Sequence, residues 1–478
     1  MPGTKSLHNR RGPLDCSRSR TRSKRRGAII VLTAFMLIAV VAMVAFAIDI
    51  GYIATCRTEL QRAVDAGALA GVGALGDGEE QQVRDIVVEY IQKNLVGAQQ
   101  VPDSAIQVEL GEWDETTRQF VVGGSMPSAV RVFVDLPDKP LFFGPALGTD
   151  SFDLTAEAIA MFQPRDIMVV LDYSSSMNDD SELKQSSTLG KAAIEANLLQ
   201  IYQELGSPTY GNLTWPGVRI DSGTDNAIKA QLGLDTVAYP YPGGSWDEYI
   251  DYVQTSGNVS QGGYQKVYGY VTLVNYWLDK RPLYRETPDL WMTSEQPITA
   301  LKNSVTVLLA YIQQVKANDR VGLAVYTHPN SGAILESGLT FNMQLVEDIS
   351  RQRQAGHYEH YTNIGAGLQT ARLEMEDNSR RGAFKLIVLI TDGMANRPTG
   401  NPNQFVLDEA DRCAKSGLPV VTVSLGVGAD KPLMQKVADR TGGVHFNIPG
   451  GRSVSEYEQQ LKDVFRKIAS NRPLRLVK

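Results

Sequence analysis

Cysteine is scarce in this chain, with three among 478 residues: Cys16, Cys56 and Cys413. That excludes a disulfide scaffold and a Cys-rich zinc module. No G-x-S-x-G elbow, no G-x-x-x-x-G-K-[ST] phosphate loop and no H-E-x-x-H pair is present, and no fixed-period repeat is visible. The usual signatures of acyl hydrolases, nucleotide hydrolases and zinc proteases are therefore missing. Positive charge is short everywhere except at the start. Residues 1–27 carry nine Lys/Arg against one acid, Asp15, so of the overall −6 the remaining 451 residues hold −14. An acidic body of that kind is a poor nucleic-acid binder. Hydrophobic residues at 43% and charged residues at 21% are ordinary for a globular protein and exclude a disordered or collagenous chain. The length allows two to four domains.

Residues 28–48, AIIVLTAFMLIAVVAMVAFAI, contain no charge. At 1.5 Å per residue the run spans about 30 Å, the thickness of a bilayer core. A cleaved signal peptide would have a shorter apolar region of about 7–15 residues. The basic residues 1–27 precede the run and Asp49 follows it. The positive-inside rule then places residues 1–27 in the cytoplasm as a tail and the bulk of the chain outside, anchored by one transmembrane helix. Cys16 is then separated from the other two cysteines. At most one bridge, Cys56–Cys413, is possible; the alternative is two unpaired thiols, with Cys413 a small buried hydrophobe on an amphipathic helix.

Beyond Asp49, small residues dominate in DIGYIATCRTELQRAVDAGALAGVGAL, which reads as the same helix continuing with a face suited to close packing. A second helix is expected over 81–95. Alternating runs follow in AIQVELGEW, RQFVVGG, AVRVFVDL and FDLTAEAIAMF, giving a small α+β domain over 49–163 with three or four strands. The stretch from RRGAIIVL to AGVGAL resembles the N-terminal region of TadE/TadG-like pilus-assembly proteins. The order is the same: a basic-Gly start, an apolar helix, a D-x-G step, then L-Q-x-A-x-D-A-x-A-L-A-G. PLFFGPALGTDSFDLTAEAIA is similar to the strand region of that family. The resemblance covers about residues 24–163 and implies a bacterial cell envelope, with other pilus-assembly components as partners.

From residue 164 to about 475, strands alternate with helices: DIMVVLD, DRVGLAVYT, FKLIVLIT and PVVTVSLGV against helical stripes such as 299–315 and 364–376. This predicts an α/β fold whose mostly parallel sheet is covered on both faces. Residues 178–295 break the alternation. Eleven of the 19 tyrosines lie between Tyr202 and Tyr284, and four of the five tryptophans are Trp215, Trp246, Trp277 and Trp291. We read an insertion whose aromatics form either a partner-selecting surface or the core of a small subdomain.

The first strand ends in Asp172-Tyr173-Ser174-Ser175-Ser176. Thr362 lies just before a helix, and Asp392 lies in T-D-G just after FKLIVLIT. Taken singly, these are a capping turn, an N-cap and a β-turn. Taken together, Asp172, Ser174, Ser176, Thr362 and Asp392 fall at strand–helix junctions on one edge of the sheet, where open α/β sheets bind ligands. Two carboxylates and three hydroxyls form a hard oxygen set suited to Mg²⁺, Ca²⁺ or Mn²⁺. His357 and His360 lack a third ligand and read as loop residues.

The pattern resembles the von Willebrand factor A domain with its metal-ion-dependent adhesion site. The resemblance implies a Rossmann-like, doubly wound sheet over residues 165–470. It also implies metal coordination by Ser174, Ser176 and Thr362, with Asp172 and Asp392 binding directly or through water. The partner is then a protein that supplies an acidic side chain. In simpler members a helix closely follows the D-x-S-x-S loop, whereas here it starts near Gln296. The expected function is thus a membrane-anchored, extracytoplasmic binding protein of pilus assembly or adhesion. The alternatives are an envelope scaffold with a purely structural metal and, less favoured, a metal-dependent hydrolase. Ser174 has no evident base, and it occupies the place where an aspartyl-phosphate phosphatase has its second Asp.

Overall fold

The computed structural model describes residues 26–75, 80–114, 116–123, 127–315, 317–327, 332–449 and 453–478. Cys16 and most of the basic tail lie outside them.

Helix α1 runs Arg26–Ala74, about 74 Å at 1.5 Å per residue. Its N-terminal half is long and apolar enough to cross a membrane and is not buried against the rest of the protein. Its C-terminal half buries Cys56, Leu60, Ala63, Val64, Ala68 and Val72. Helix α2 (Glu80–Gln92) presents Val83, Val87 and Ile91 to that face. The approach is close. A Cβ at Gly67 would lie 2.6 Å from Ile91 Cγ1, and one at Gly71 2.6 Å from Val87 Cγ2, so the small-residue face is what lets the helices meet.

Both helices cover one face of an antiparallel sheet formed by β1 (Ile106–Asp114), β2 (Gln119–Val122), β3 (Ala129–Pro140) and β4 (Ser151–Phe162). A short helix, α3 (Gly144–Leu147), lies in the β3–β4 connection. Sequence reading gives this sheet three or four strands, all before residue 163. A fifth strand, Leu474–Leu476, pairs antiparallel with β4, Leu474 opposite Phe162. Three residues are too few to show a period, so this strand is invisible to patterning.

The second unit begins with β5 (Arg165–Asp172), buried at all eight positions. Ile167, Val169 and Leu171 face one side of the sheet, Met168 and Val170 the other, as a strand covered on both faces requires. An excursion follows: α4 (Lys191–Glu204), β6 (Val218–Arg219), α5 (Asp225–Gln231), α6 (Trp246–Thr255), α7 (Gly257–Gln261), β7 (Val267–Tyr268) and α8 (Tyr270–Lys280). Its core is aromatic: Trp246, Tyr249, Tyr252, Tyr268, Tyr270, Tyr276 and Trp277 are all buried in one cluster. Of the two readings of this composition, the surface one is corrected for these residues. Large rings supply apolar area where short helices offer little else.

The chain then alternates through α9 (Ile298–Val315), β8 (Arg320–Tyr326), β9 (Ile334–Thr340), α10 (Met343–Arg351), α11 (Ile364–Asn378), β10 (Phe384–Thr391), α12 (Pro402–Lys415), β11 (Val420–Leu425), α13 (Lys431–Thr441), β12 (His445–Ile448) and α14 (Val454–Ser470), and closes with β13 (Leu474–Leu476). The sheet order is β12-β11-β10-β5-β8-β9, parallel except for β9. Helices α9, α10 and α14 cover one face and α11, α12 and α13 the other.

Arg165 rivets the junction between the two units. Its guanidinium donates to Asp319 Oδ2 at 3.0 and 2.9 Å and to Ile468 O at 3.0 Å. Arg472 reaches the same carboxylate oxygen at 2.9 Å, and the side chains of all three residues are fully buried. Cys56 and Cys413 are free, buried thiols.

Candidate metal centre

Strands β5 and β10 are hydrogen-bonded neighbours in the middle of the sheet. Their carboxyl ends therefore bring Asp172 and Asp392 to the same edge, although 219 residues separate the pair Asp172 and Thr391 that lock them together. Asp172 is fully buried. Its Oδ1 accepts the Ser174 N–H at 2.9 Å, and its Oδ2 accepts the Thr391 hydroxyl at 2.9 Å. These bonds turn the chain after β5 and leave Ser174 and Ser176 on the Asp392 side.

Ser174 Oγ lies 3.0 Å from Ser176 Oγ. Ser176 Oγ donates to Asp392 Oδ1 at 2.8 Å. Thr362 is held from across the site: its N–H donates to Asn396 Oδ1 and its carbonyl accepts the Asn396 N–H, each at 2.9 Å. Gly393 lies between the two loops. A Cβ there would stand 3.7 Å from Ser176 Oγ and 3.8 Å from Thr362 Oγ1. The structure thus brings all five residues singled out by sequence to one locus. Asp172, Ser174 and Thr362 are buried, while Ser176 and Asp392 are partly exposed at its mouth.

The electrostatics are those of an anionic oxygen cage. Burial pushes the Asp172 carboxyl up, against the lowering effect of its Ser174 and Thr391 hydrogen bonds. Burial, then the charge of Asp172, then Asp179 and Asp180 push Asp392 well up. Among the described residues no Lys, Arg or His forms an ion pair with either acid, and no group of three or more His, Cys, Asp or Glu is arranged to hold a metal. The donor chemistry therefore suits a small hard divalent cation held mostly by hydroxyls, and does not suit zinc.

Sequence reasoning missed three contributors. Thr391 adjoins Asp392 in the T-D-G run and was legible as a neighbour; Asn396 and Gly393 act only through three-dimensional contacts. His357 and His360 both lie in the loop ahead of Thr362. The His357 ring lies tilted against Tyr284 with centroids 4.6 Å apart and edge-on to Tyr358 at 4.7 Å, and burial followed by Arg353 lowers its pKa to about 4. His360 is exposed.

The rest of the excursion after β5 leans on the Thr362 loop. Gln354 Nε2 donates to Pro282 O at 2.6 Å and Thr287 O at 3.0 Å, and the Ala355 N–H donates to Glu295 Oε1 at 2.9 Å. The excursion's two ends are tied where they leave the sheet: Gln296 N–H donates to Ser181 Oγ at 2.7 Å, and Asp180 N–H to Gln296 O at 3.0 Å.

Three family models match the chain in order. Residues 27–74 match Flp pilus-assembly TadE/G-like proteins, 70–160 a Tad-like Flp pilus-assembly region, and 290–394 the von Willebrand factor type A domain. The last match includes Thr362 and Asp392; Asp172, Ser174 and Ser176 lie upstream of it, across the excursion. No curated protein matches the chain. Among solved structures, an aerotolerance-related membrane protein from Bacteroides fragilis is 16% identical, covering 36% of this chain and 88% of its own, at a TM-score of 0.28. The pilus adhesin SpaC from Lactobacillus rhamnosus GG is 13% identical over 76% of this chain, which spans 34% of the adhesin, at a TM-score of 0.35. The D319A mutant of the PilB minor pilin from Streptococcus sanguinis is 10% identical over 77% of this chain and 88% of that one, also at a TM-score of 0.35.

Proposed function

We propose that this chain is a single-pass envelope protein of the pilus-assembly or surface-adhesion apparatus. It binds a protein partner through a divalent cation, Mg²⁺ foremost, held by Asp172, Ser174, Ser176, Thr362 and Asp392. The observation that supports this reading best is the convergence of five oxygen-bearing side chains, from three separate stretches, on one sheet edge with a solvent-facing mouth. A cation held by these residues would supply the positive charge that attracts an external carboxylate. The chain's own residues do the rest. Thr391 and the Ser174 N–H fix the Asp172 carboxylate, and Asn396 fixes Thr362. Asp179 and Asp180 add negative field, so an acidic partner is repelled unless a cation is present.

Around the mouth, Arg397 stacks over the Tyr361 ring at 3.7 Å, and Met394 and Val427 are exposed. Arg and aromatic side chains of this kind are common anchors in protein interfaces. In the inner-membrane orientation set by the basic residues 1–27, the tail is cytoplasmic and this edge is extracytoplasmic. The test is capture of envelope proteins by the full chain in lipid nanodiscs, with Mg²⁺ and with chelator. Mg²⁺-dependent capture that Asp392→Ala abolishes is expected; equal capture in chelator would sink the reading.

A further inference from the structure

The connection between β3 and β4 meets helix α1 where its uncharged run ends. Asp49 is the first charged residue after residues 28–48, and it is buried. Its carboxylate accepts the Phe142 N–H at 3.0 Å and the Phe143 N–H at 3.2 and 3.1 Å. This places the loop beside the point where α1 leaves a bilayer.

The loop is ordered and apolar. No charge occurs from Pro140 to Thr149. Leu141 N–H donates to Asp150 O at 3.0 Å and Thr149 N–H to Gly144 O at 3.1 Å. Gly148 adopts φ +89° to close the turn, which a side chain would resist. This frame holds Phe142, Phe143 and Leu147 outward, 65%, 43% and 54% exposed. The Phe142 ring also packs on Tyr52, one turn beyond Asp49, at a centroid distance of 4.7 Å.

Three large apolar side chains on a rigid, uncharged tip are costly in water. Aromatic rings at the end of a membrane span are favoured at the headgroup level, where apolar groups bury to about 5–10 Å depth. We propose that the Leu141–Leu147 loop inserts into the boundary of the bilayer that α1 crosses. Its occupant is lipid, because the Asp49 carboxylate fixes the loop against the end of the span. The loop gives the extracytoplasmic body a second membrane contact and so sets its tilt and its rotation about α1, which determine where the metal-bearing edge faces. The inference rests on the membrane-anchoring part of the proposed function and is independent of the metal centre.

The test is spin-label depth measurement on the full chain in phosphatidylcholine vesicles. Single labels go at F142C, F143C, V40C in the span and V427C in the second unit, all in a C16S background; Cys56 and Cys413 are buried. Labels at 142 and 143 should collide more with lipid-soluble oxygen than with a water-soluble nickel complex, as at 40 and opposite to 427. A lipid-like reading at 40 with a water-like reading at 142 overturns the loop inference alone. Shielding at 142 from both reagents shows a protein contact and also overturns it. A water-like reading at 40 overturns the anchoring together with the loop.

Discussion

Ser176 and Asp392 meet at 2.8 Å across 216 residues of chain. The hydroxyl of the loop after β5 thus donates to the carboxylate that follows the neighbouring strand β10, and both stand at the solvent side of the candidate metal centre. Binding of a divalent cation should displace that hydrogen bond. Ser176→Ala and Asp392→Asn should each weaken Mg²⁺ binding at least about tenfold, or ~1.4 kcal/mol, by titration calorimetry of the full chain. At a hundredfold excess over Kd, Mg²⁺ should stabilise the wild type by about 2.7 kcal/mol, seen as a rise in Tm that is lost in Asp392→Asn. Because burial and the Asp172 charge raise the folded Asp392 pKa, its ionised form opposes folding near pH 7. The metal-free Asp392→Asn protein should therefore be no less stable than the metal-free wild type. A variant with wild-type Mg²⁺ affinity counts against the site.

The buried Arg165–Asp319–Arg472 group is expected to control how the two units hold together. Asp319→Ala strands two guanidiniums with no carboxylate between them; a broken buried pair of this kind costs about 3–5 kcal/mol. The loss should also free the C-terminal strand from β4. Urea unfolding and hydrogen exchange at residues 474–476 check both effects. Unchanged exchange there would show that the strand is held by its backbone ladder alone. The same contact argues against isolating the second unit by cutting at residue 164, since the cut removes β4 from beside Leu474–Leu476.

Much of this architecture was legible from period and punctuation. Short apolar runs rich in β-branched residues, such as Leu386–Ile390 within β10, read as buried strands, and the uncharged stretch at 28–48 has only one comfortable solvent. Asp172, Ser174, Ser176, Thr362 and Asp392 were legible because each adjoins a strand end or helix start, and parallel strands place such ends together. The sheet's completion by Leu474–Leu476 was not legible, because three residues carry no period. The excursion between β5 and α9 was recognisable by composition but not by role: a Tyr that seals a small core and a Tyr that waits for a partner look the same in sequence. Asn396 was hidden for a different reason, since its link to Thr362 exists only after both loops have folded.

Asp166 gives a pH signature. It is fully buried, and burial alone would raise its carboxyl, but Arg320 and Arg380 hold it below the ordinary range. Arg320 donates at 3.0 and 2.8 Å, and Arg380 at 3.0 and 2.7 Å through its guanidinium and 2.7 Å through its N–H. A depressed folded pKa contributes stability that is present above the unfolded value and lost as pH falls through the folded one. Asp166→Asn should therefore cost about 2–3 kcal/mol at pH 7, below the range for a fully buried pair because both arginines are partly exposed. The gap to wild type should stay constant down to about pH 5 and narrow only below the usual aspartate pKa of ~3.9. Denaturant titrations at several pH values give the gap directly; one that narrows already between pH 8 and 6 would show that another group carries it.

Gln354 tests whether the excursion supports the metal centre or merely sits beside it. Its side-chain amide is buried and donates to the carbonyls of Pro282 and Thr287, and eight positions later the same loop supplies Thr362. Gln354→Ala leaves two buried carbonyls without that donor, at a cost of about 1–3 kcal/mol. If the bonds position the loop, Mg²⁺ affinity should fall severalfold even though no ligand is touched, and the mouth formed by Tyr361 and Arg397 should loosen with it. Gln354→Met offers a control: it keeps the approximate size but has no donor, so its Mg²⁺ affinity should follow that of Ala. Calorimetric Mg²⁺ titration beside thermal unfolding separates the two cases. A loss of Tm with unaltered Mg²⁺ affinity would make the contact purely structural, whereas a fall in affinity exceeding the loss of stability would show that the inserted subdomain sets the geometry of Thr362.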